Sequence, residues 1–180
     1  MIRITPHQFK EAFLQVVSTM QTDLIGRWDN SKEYTSFMRQ TILPAIAPRL
    51  CVQVYSHDYY TLDCIYFTKR DTVRFRSEDT YATHISIALE PENDIKDTAI
   101  EMNKLQLFNA PLKVLITYCE RDSERDSYLK RYNNILCSAD VFGDFATLRR
   151  QMVIFGSKPC STINWHFYIY EPCGFQELRA

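Results

Sequence analysis

Three carboxylates in this chain stand where an apolar strand gains nothing from charge. Asp63 interrupts the run TLDCIYFTK, and Glu90 and Glu92 close the run HISIALEPEND. Burying an unpaired charge is costly, so an acid in such a place must be solvated, hydrogen-bonded or holding a cation. Side chains alternate faces along a strand, which places Glu90 and Glu92 on one side, and a neighbouring strand carrying Asp63 would bring a third oxygen donor to them. Three converging carboxylates are a set that a hard divalent cation such as Mg²⁺, or Mn²⁺, accepts.

The elements that must hold these acids are read from periodicity. Thr5-Pro6-His7-Gln8 is a helix start: Thr5 caps, Pro6 suits the first helical position, and Gln8 closes a capping box ahead of Phe9, Phe13, Val16, Val17 and Met20. After a turn near Gly26, a second helix is expected from Asn30 or Ser31 until Pro44 and Pro48 end it. Three strands follow, at 50–55, 61–69 and 84–90, with polar links between them. Asn93, Asp94 or Asp97 then caps a helix carrying Ile100, Lys104, Leu107 and Phe108, which ends before Pro111. The run LKVLITY reads as a central strand covered on both faces. After the link CERDSERDS come a helix at 127–136, a short helical or irregular piece at 144–150, and the late strands MVIF and WHFYIY. The predicted class is α/β, a mixed central sheet flanked by helices.

A chain of 180 residues, 46% hydrophobic and 24% charged, is expected to fold as one domain over 1–180 with a substantial core. Its formal net charge of -1 supplies no global basic field, so a nucleic-acid partner would need local patches. The six cysteines lack CxxC spacing and no secretory leader pattern is present, which predicts reduced thiols and a cytoplasmic location. No apolar run is long enough for a membrane span. Four glycines and no GxxxxGK[ST] or GxGxxG loop argue against a nucleotide-cradling fold.

The acids and the element order together resemble the PD-(D/E)XK nuclease superfamily, whose restriction-endonuclease-like core runs αβββαβ. The resemblance covers about 31–118, leaving the N-terminal helix and the last third as extensions, and Glu90-Pro91-Glu92-Asn93 also looks like a Glu-x-Glu-Asn signature of uncharacterised bacterial members. It implies a Mg²⁺- or Mn²⁺-dependent nuclease acting on DNA, with the metal on Asp63 and Glu90. Glu92 stands where the family usually has lysine, so it would bind metal or take the proton from water, with Lys104, ahead of Lys113, supplying the missing ammonium. Loss of that lysine equally suits an inactive module of the same fold that binds nucleic acid or a protein.

Two basic clusters could meet a phosphate backbone: Lys69, Arg70, Arg74 and Arg76 between the second and third strands, and Arg121, Arg125, Lys130 and Arg131 later in the chain. The first mixes with Phe67, Phe75 and Tyr81; the second alternates with acids as a solvated helix face does. Asp63 could instead simply pair with Arg74 or Arg76, and Glu90 to Asp94 could be a solvated strand end. An exposed WHFYIY run would make the chain a homodimer through that strand.

Overall fold

A computed structural model of the chain describes residues 3–74 and 80–178. The first helix, α1 (Pro6–Thr19), begins as its sequence dictates: the Thr5 hydroxyl accepts from the Gln8 N–H at 3.2 Å while the Gln8 carboxamide oxygen accepts from the Thr5 N–H at 2.9 Å. Phe9, Phe13, Val16 and Val17 form its buried face. The turn expected near Gly26 is instead a second helix, α2 (Gln21–Arg27), which buries Leu24.

Pro44 and Pro48 do not end the next helical run. It starts at α3 (Ser31–Phe37), with the Asn30 side chain accepting from the Glu33 N–H, and continues through a π-helical turn (Met38–Ile42) into α4 (Leu43–Ile46) and a 3₁₀ turn (Ala47–Leu50). A proline ring clashes with the carbonyl four residues back. The widened turn ahead of Pro44, where the Leu43 N–H bonds back to Met38, moves that carbonyl aside. Pro44 then sits in the first turn of α4, where no N–H is needed.

Among the described residues nine strands follow: β1 (Gln53–Tyr55), β2 (Cys64–Phe67), β3 (Thr72–Arg74), β4 (Thr80–Ala82), β5 (Ile87–Pro91), β6 (Leu112–Tyr118), β7 (Arg150–Ser157), β8 (Asn164–Glu171) and β9 (Gly174–Glu177). Two helices lie between them, α5 (Thr98–Gln106) and α6 (Asp122–Ala139). Seven strands form one sheet in the order β1-β2-β5-β6-β7-β8-β9, and β3 pairs with β4 apart from it. β1, β2 and β5 are an antiparallel meander, β5, β6 and β7 run parallel, and β8 and β9 return antiparallel. The chain is therefore a mixed α/β protein, its sheet flanked by helices.

Strand alternation divides the core in two. Cys64, Tyr66, Ile87, Leu89, Val114 and Ile116 pack against α1–α4, while Ile65, Ala88, Leu115, Val153 and Phe155 pack against Met102 and Leu105 of α5 and Leu129, Tyr132 and Leu136 of α6. The late apolar run forms β8, between β7 and β9 in the sheet, with Phe167, Ile169 and Tyr170 buried. The link CERDSERDS is the start of α6 from Asp122 on, because its acids lie in the first helical turn where the helix dipole favours them. No helix is long and apolar enough to cross a membrane among the described residues.

Candidate functional site

Glu90 points to the α5 face of the sheet, as does its neighbour by alternation, Ala88, and is 2% exposed. Its strand, β5, ends one residue on at Pro91, opposite Ile116 of the parallel β6; the Glu92 N–H makes one last bond to the Ile116 carbonyl at 2.8 Å. Asp63 lies one residue before β2, not within an apolar strand as expected. Cys64 is opposite Leu89, so the antiparallel register brings Asp63 beside Glu90, and the Asp63 N–H donates to a Glu90 carboxylate oxygen at 3.2 Å.

The turn that delivers Asp63 is strained. Asp58, Tyr60 and Thr61 have φ of 41°, 49° and 76°, and the β-branched Thr61 is rarely found in that region. Reciprocal backbone bonds between Tyr59 and Leu62, 2.7 and 3.0 Å, hold the turn closed. The Thr61 carbonyl accepts from Lys104 Nζ at 3.0 Å.

Two cations answer the two acids. Lys104, two turns into α5, is within 3.0 Å of Glu90 and also contacts Glu101; Arg39, on the π-helical turn, is 3.2 Å from Asp63. Lys104 is thus close to the acids, despite its distance along the helix from the strand end. The other partners expected for Asp63, the Arg74 side chain and Arg76, lie outside the described residues. Arg39 and Glu101 escaped the sequence reading. The i,i+3 spacing of Glu101 to Lys104 was a usable signal. Nothing local marks Arg39, which meets Asp63 only through the folded chain.

Glu92 does not join this cluster as a third ligand. Its carboxylate accepts from the Asp94 N–H at 2.7 Å, because β5 ends at Pro91 and strand alternation no longer governs its direction. The Asn93 carboxamide ties the same turn to α3, donating to the Ser31 carbonyl at 3.1 Å and to the Thr35 hydroxyl. Among the described residues no three His, Cys, Asp or Glu side chains are gathered to hold a metal, so the expected convergence of three carboxylates is replaced by a carboxylate pair with its cations. None of Asn93, Asp94 and Asp97 caps α5 by a side-chain bond to its first turn; Asp97 occupies the cap position in a helical conformation.

Burial pushes the Glu90 carboxyl up to about 8, against the pull of Lys104 and helped by the negative charges of Asp63 and Glu101. Burial also raises Asp63 above the ordinary carboxylate range, with Arg39 and Lys104 opposing, and raises Glu92. Burial works against the Lys104 charge, yet Glu101 and Glu90 together hold its pKa above the usual lysine value. Three acids, Asp63, Glu90 and Glu101, surround two cations, so with all three ionised the cluster carries an excess of negative charge that a further cation would relieve.

Of the expected basic patch, the Arg74 side chain and Arg76 lie outside the described residues. Lys69 and Arg70 are exposed in the turn that follows β2, at the opposite end of that strand from Asp63. In the second cluster, Arg121 and Arg125 pair with Glu124 and Asp122. Lys113, the lesser candidate for the missing ammonium, is 1% exposed near the start of β6, two residues before Glu90's strand partner Leu115, and its ammonium is turned to the Phe145 ring at 5.3 Å and the Gln106 carboxamide oxygen at 3.4 Å. A separate cavity of about 230 Å³, walled by Trp28, Tyr34 and Tyr118 in edge-to-face contact, opens beside Asn93.

No protein-family model matches the chain, and no curated protein matches it in sequence.

Proposed function

We propose that the chain is a Mg²⁺- or Mn²⁺-dependent nuclease of the restriction-endonuclease-like kind, hydrolysing phosphodiester bonds in DNA at the Asp63–Glu90–Lys104 cluster. The observation that carries this reading is the placement of Lys104 Nζ 3.0 Å from Glu90, beside Asp63. The order α3, β1-β2-β5 meander, α5, parallel β6 also follows the expected αβββαβ succession, with the small β3–β4 hairpin inserted.

Asp63 and Glu90 fit a hard divalent ion: both are oxygen donors whose burial disfavours an uncompensated negative charge, and Mg²⁺ is commonly held by one or two carboxylates with water and phosphate completing its shell. A bound ion would neutralise phosphate charge and lower the pKa of an attacking water. Lys104 keeps its proton and presents positive charge to the phosphate from α5, a role the superfamily gives to the lysine that Glu92 replaces. Glu92, anchored by the Asp94 N–H, keeps its other oxygen to accept a proton from water. Arg39 orients Asp63.

A second reading, a module of the same fold that binds without cutting, is favoured by one observation: both acids already hold cations from within the chain. Cleavage of labelled single- and double-stranded DNA with Mg²⁺ or Mn²⁺ separates the two. Metal-dependent cutting that falls by about a hundredfold or more in Asp63→Ala, Glu90→Ala and Lys104→Ala establishes the nuclease. A folded native protein that neither cuts nor binds metal leaves the binding module.

A further inference from the structure

We infer that the surface leading to Asp63 from α3 and the 55–61 turn is a track for single-stranded DNA, an inference that rests on the nuclease reading for the class of ligand. A groove of about 430 Å³ is lined by Lys32, Thr35, Ser36, Arg39 and His57. Its charged lining residues are Lys32 and Arg39; Arg39 is paired with Asp63, whereas Lys32 makes no ion pair among the described residues. Cations interleaved with hydroxyls suit a phosphodiester backbone, and Arg39 leads directly to Asp63. With a net charge of -1 overall, the Lys32 ammonium beside the Arg39–Asp63 pair is the positive charge that a phosphate would meet on this face.

Aromatic rings line the same edge. Tyr55 lies 6.0 Å from His57 and 5.7 Å from Tyr59, and Tyr59 lies 4.9 Å from Tyr60. Tyr59 is fixed from below, its hydroxyl donating to the Ala82 carbonyl at 3.2 Å and accepting from the Ala82 N–H at 3.1 Å. Tyr60 is 66% exposed and Tyr55 44%. Large rings held out in water, on a turn whose left-handed residues cost energy, need a partner that rewards the arrangement. Nucleobases do: their faces stack on tyrosine, and stacking with a positive backbone groove is how unpaired strands are bound. A duplex keeps its base faces covered, so the ligand is a single strand or a frayed end.

The test is fluorescence anisotropy of a labelled oligothymidylate and of a hairpin duplex, without divalent metal, using the Asp63→Ala protein so that no cleavage intervenes. The single strand binds more tightly than the duplex; Tyr60→Ala weakens it by about fivefold or more, whereas Tyr60→Phe, which keeps the ring, does not. Lys32→Ala lowers the slope of log affinity against log salt by about 0.7, and Lys130→Ala, exposed on α6, leaves it unchanged. Preference for duplex, absence of binding, or equal affinity of Tyr60→Ala and native protein overturns the inference. Cutting without any effect of Tyr60 or Lys32 removes the track and keeps the nuclease; binding without cutting removes the nuclease and keeps the track.

Discussion

Lys104 crosses from α5 to set its ammonium 3.0 Å from the carboxylate of Glu90, a side chain with 2% of its surface exposed. An acid so enclosed resists ionising even with that partner, and its pKa of about 8 ties folding to pH. Between the unfolded value near 4.5 and about 8 the folded chain binds the extra proton, so stability from this group is full below that window and lost as pH rises through it. Glu90→Gln removes the titration. Its thermal midpoint is expected to fall less than that of the native protein between pH 6 and pH 8.5; parallel curves would show that Glu90 does not carry the dependence.

The same proton must leave when a cation arrives. Titrating Mg²⁺ or Mn²⁺ calorimetrically in two buffers of different ionisation enthalpy should reveal release of a proton at neutral pH and tighter binding as pH rises through about 8. Asp63→Asn should abolish the heat. Metal binding with no proton uptake by buffer would place the ion away from Glu90.

Lys113 works in the opposite direction. Burial lowers its pKa to about 8, with Arg149 adding repulsion and Asp144 opposing, and the ammonium donates to the Gln106 carboxamide oxygen at 3.4 Å. Its folded pKa is below the unfolded 10.5, so stability rises as pH increases from about 8 towards that value, as the unfolded chain then holds more protons. Lys113→Met keeps the volume and removes the charge. It should stabilise the fold at pH 7 by about 2 kcal/mol in urea unfolding and flatten the alkaline rise. A loss of stability would mean that Gln106 and the Phe145 ring solvate the ammonium fully.

Gly156 of β7 admits two rings over the sheet. A Cβ there would meet Trp165 Cζ3 and Tyr118 Cδ1, each at 2.9 Å, and neither is a flexible chain end. Gly156→Ala should cost about 1–3 kcal/mol, measured by urea unfolding, and should open the cavity that Tyr118 walls. A neutral result would show that Trp165 swings aside freely.

Thr5→Ala is a purely local test. Losing the hydroxyl that accepts from the Gln8 N–H should lower stability by about 1 kcal/mol, detectable as a small drop in the urea midpoint without change in its slope.

Those last two residues mark how far the sequence reaches. The Thr5 box, the apolar spacing of α1 and the uninterrupted strand Leu112–Tyr118 were legible because each depends on a few neighbouring residues and a fixed period. Asp63 and Glu90 stood out for the same reason, acids where local pattern demanded apolar side chains. Glu92 was misplaced because alternation holds only while a strand lasts, and β5 ends at Pro91. Pro44 misled because the rule against interior proline assumes an α-helical turn, and the chain widens into a π turn before it. Arg39 belongs wholly to tertiary structure, reaching Asp63 across 24 residues of chain; Lys104, expected from the resemblance as the ammonium, reaches Glu90 across 14 residues by way of a crossover helix. Sequence determines which residues must be answered. Which residues answer them depends on packing, since ion pairs form between whatever charges the fold brings within reach.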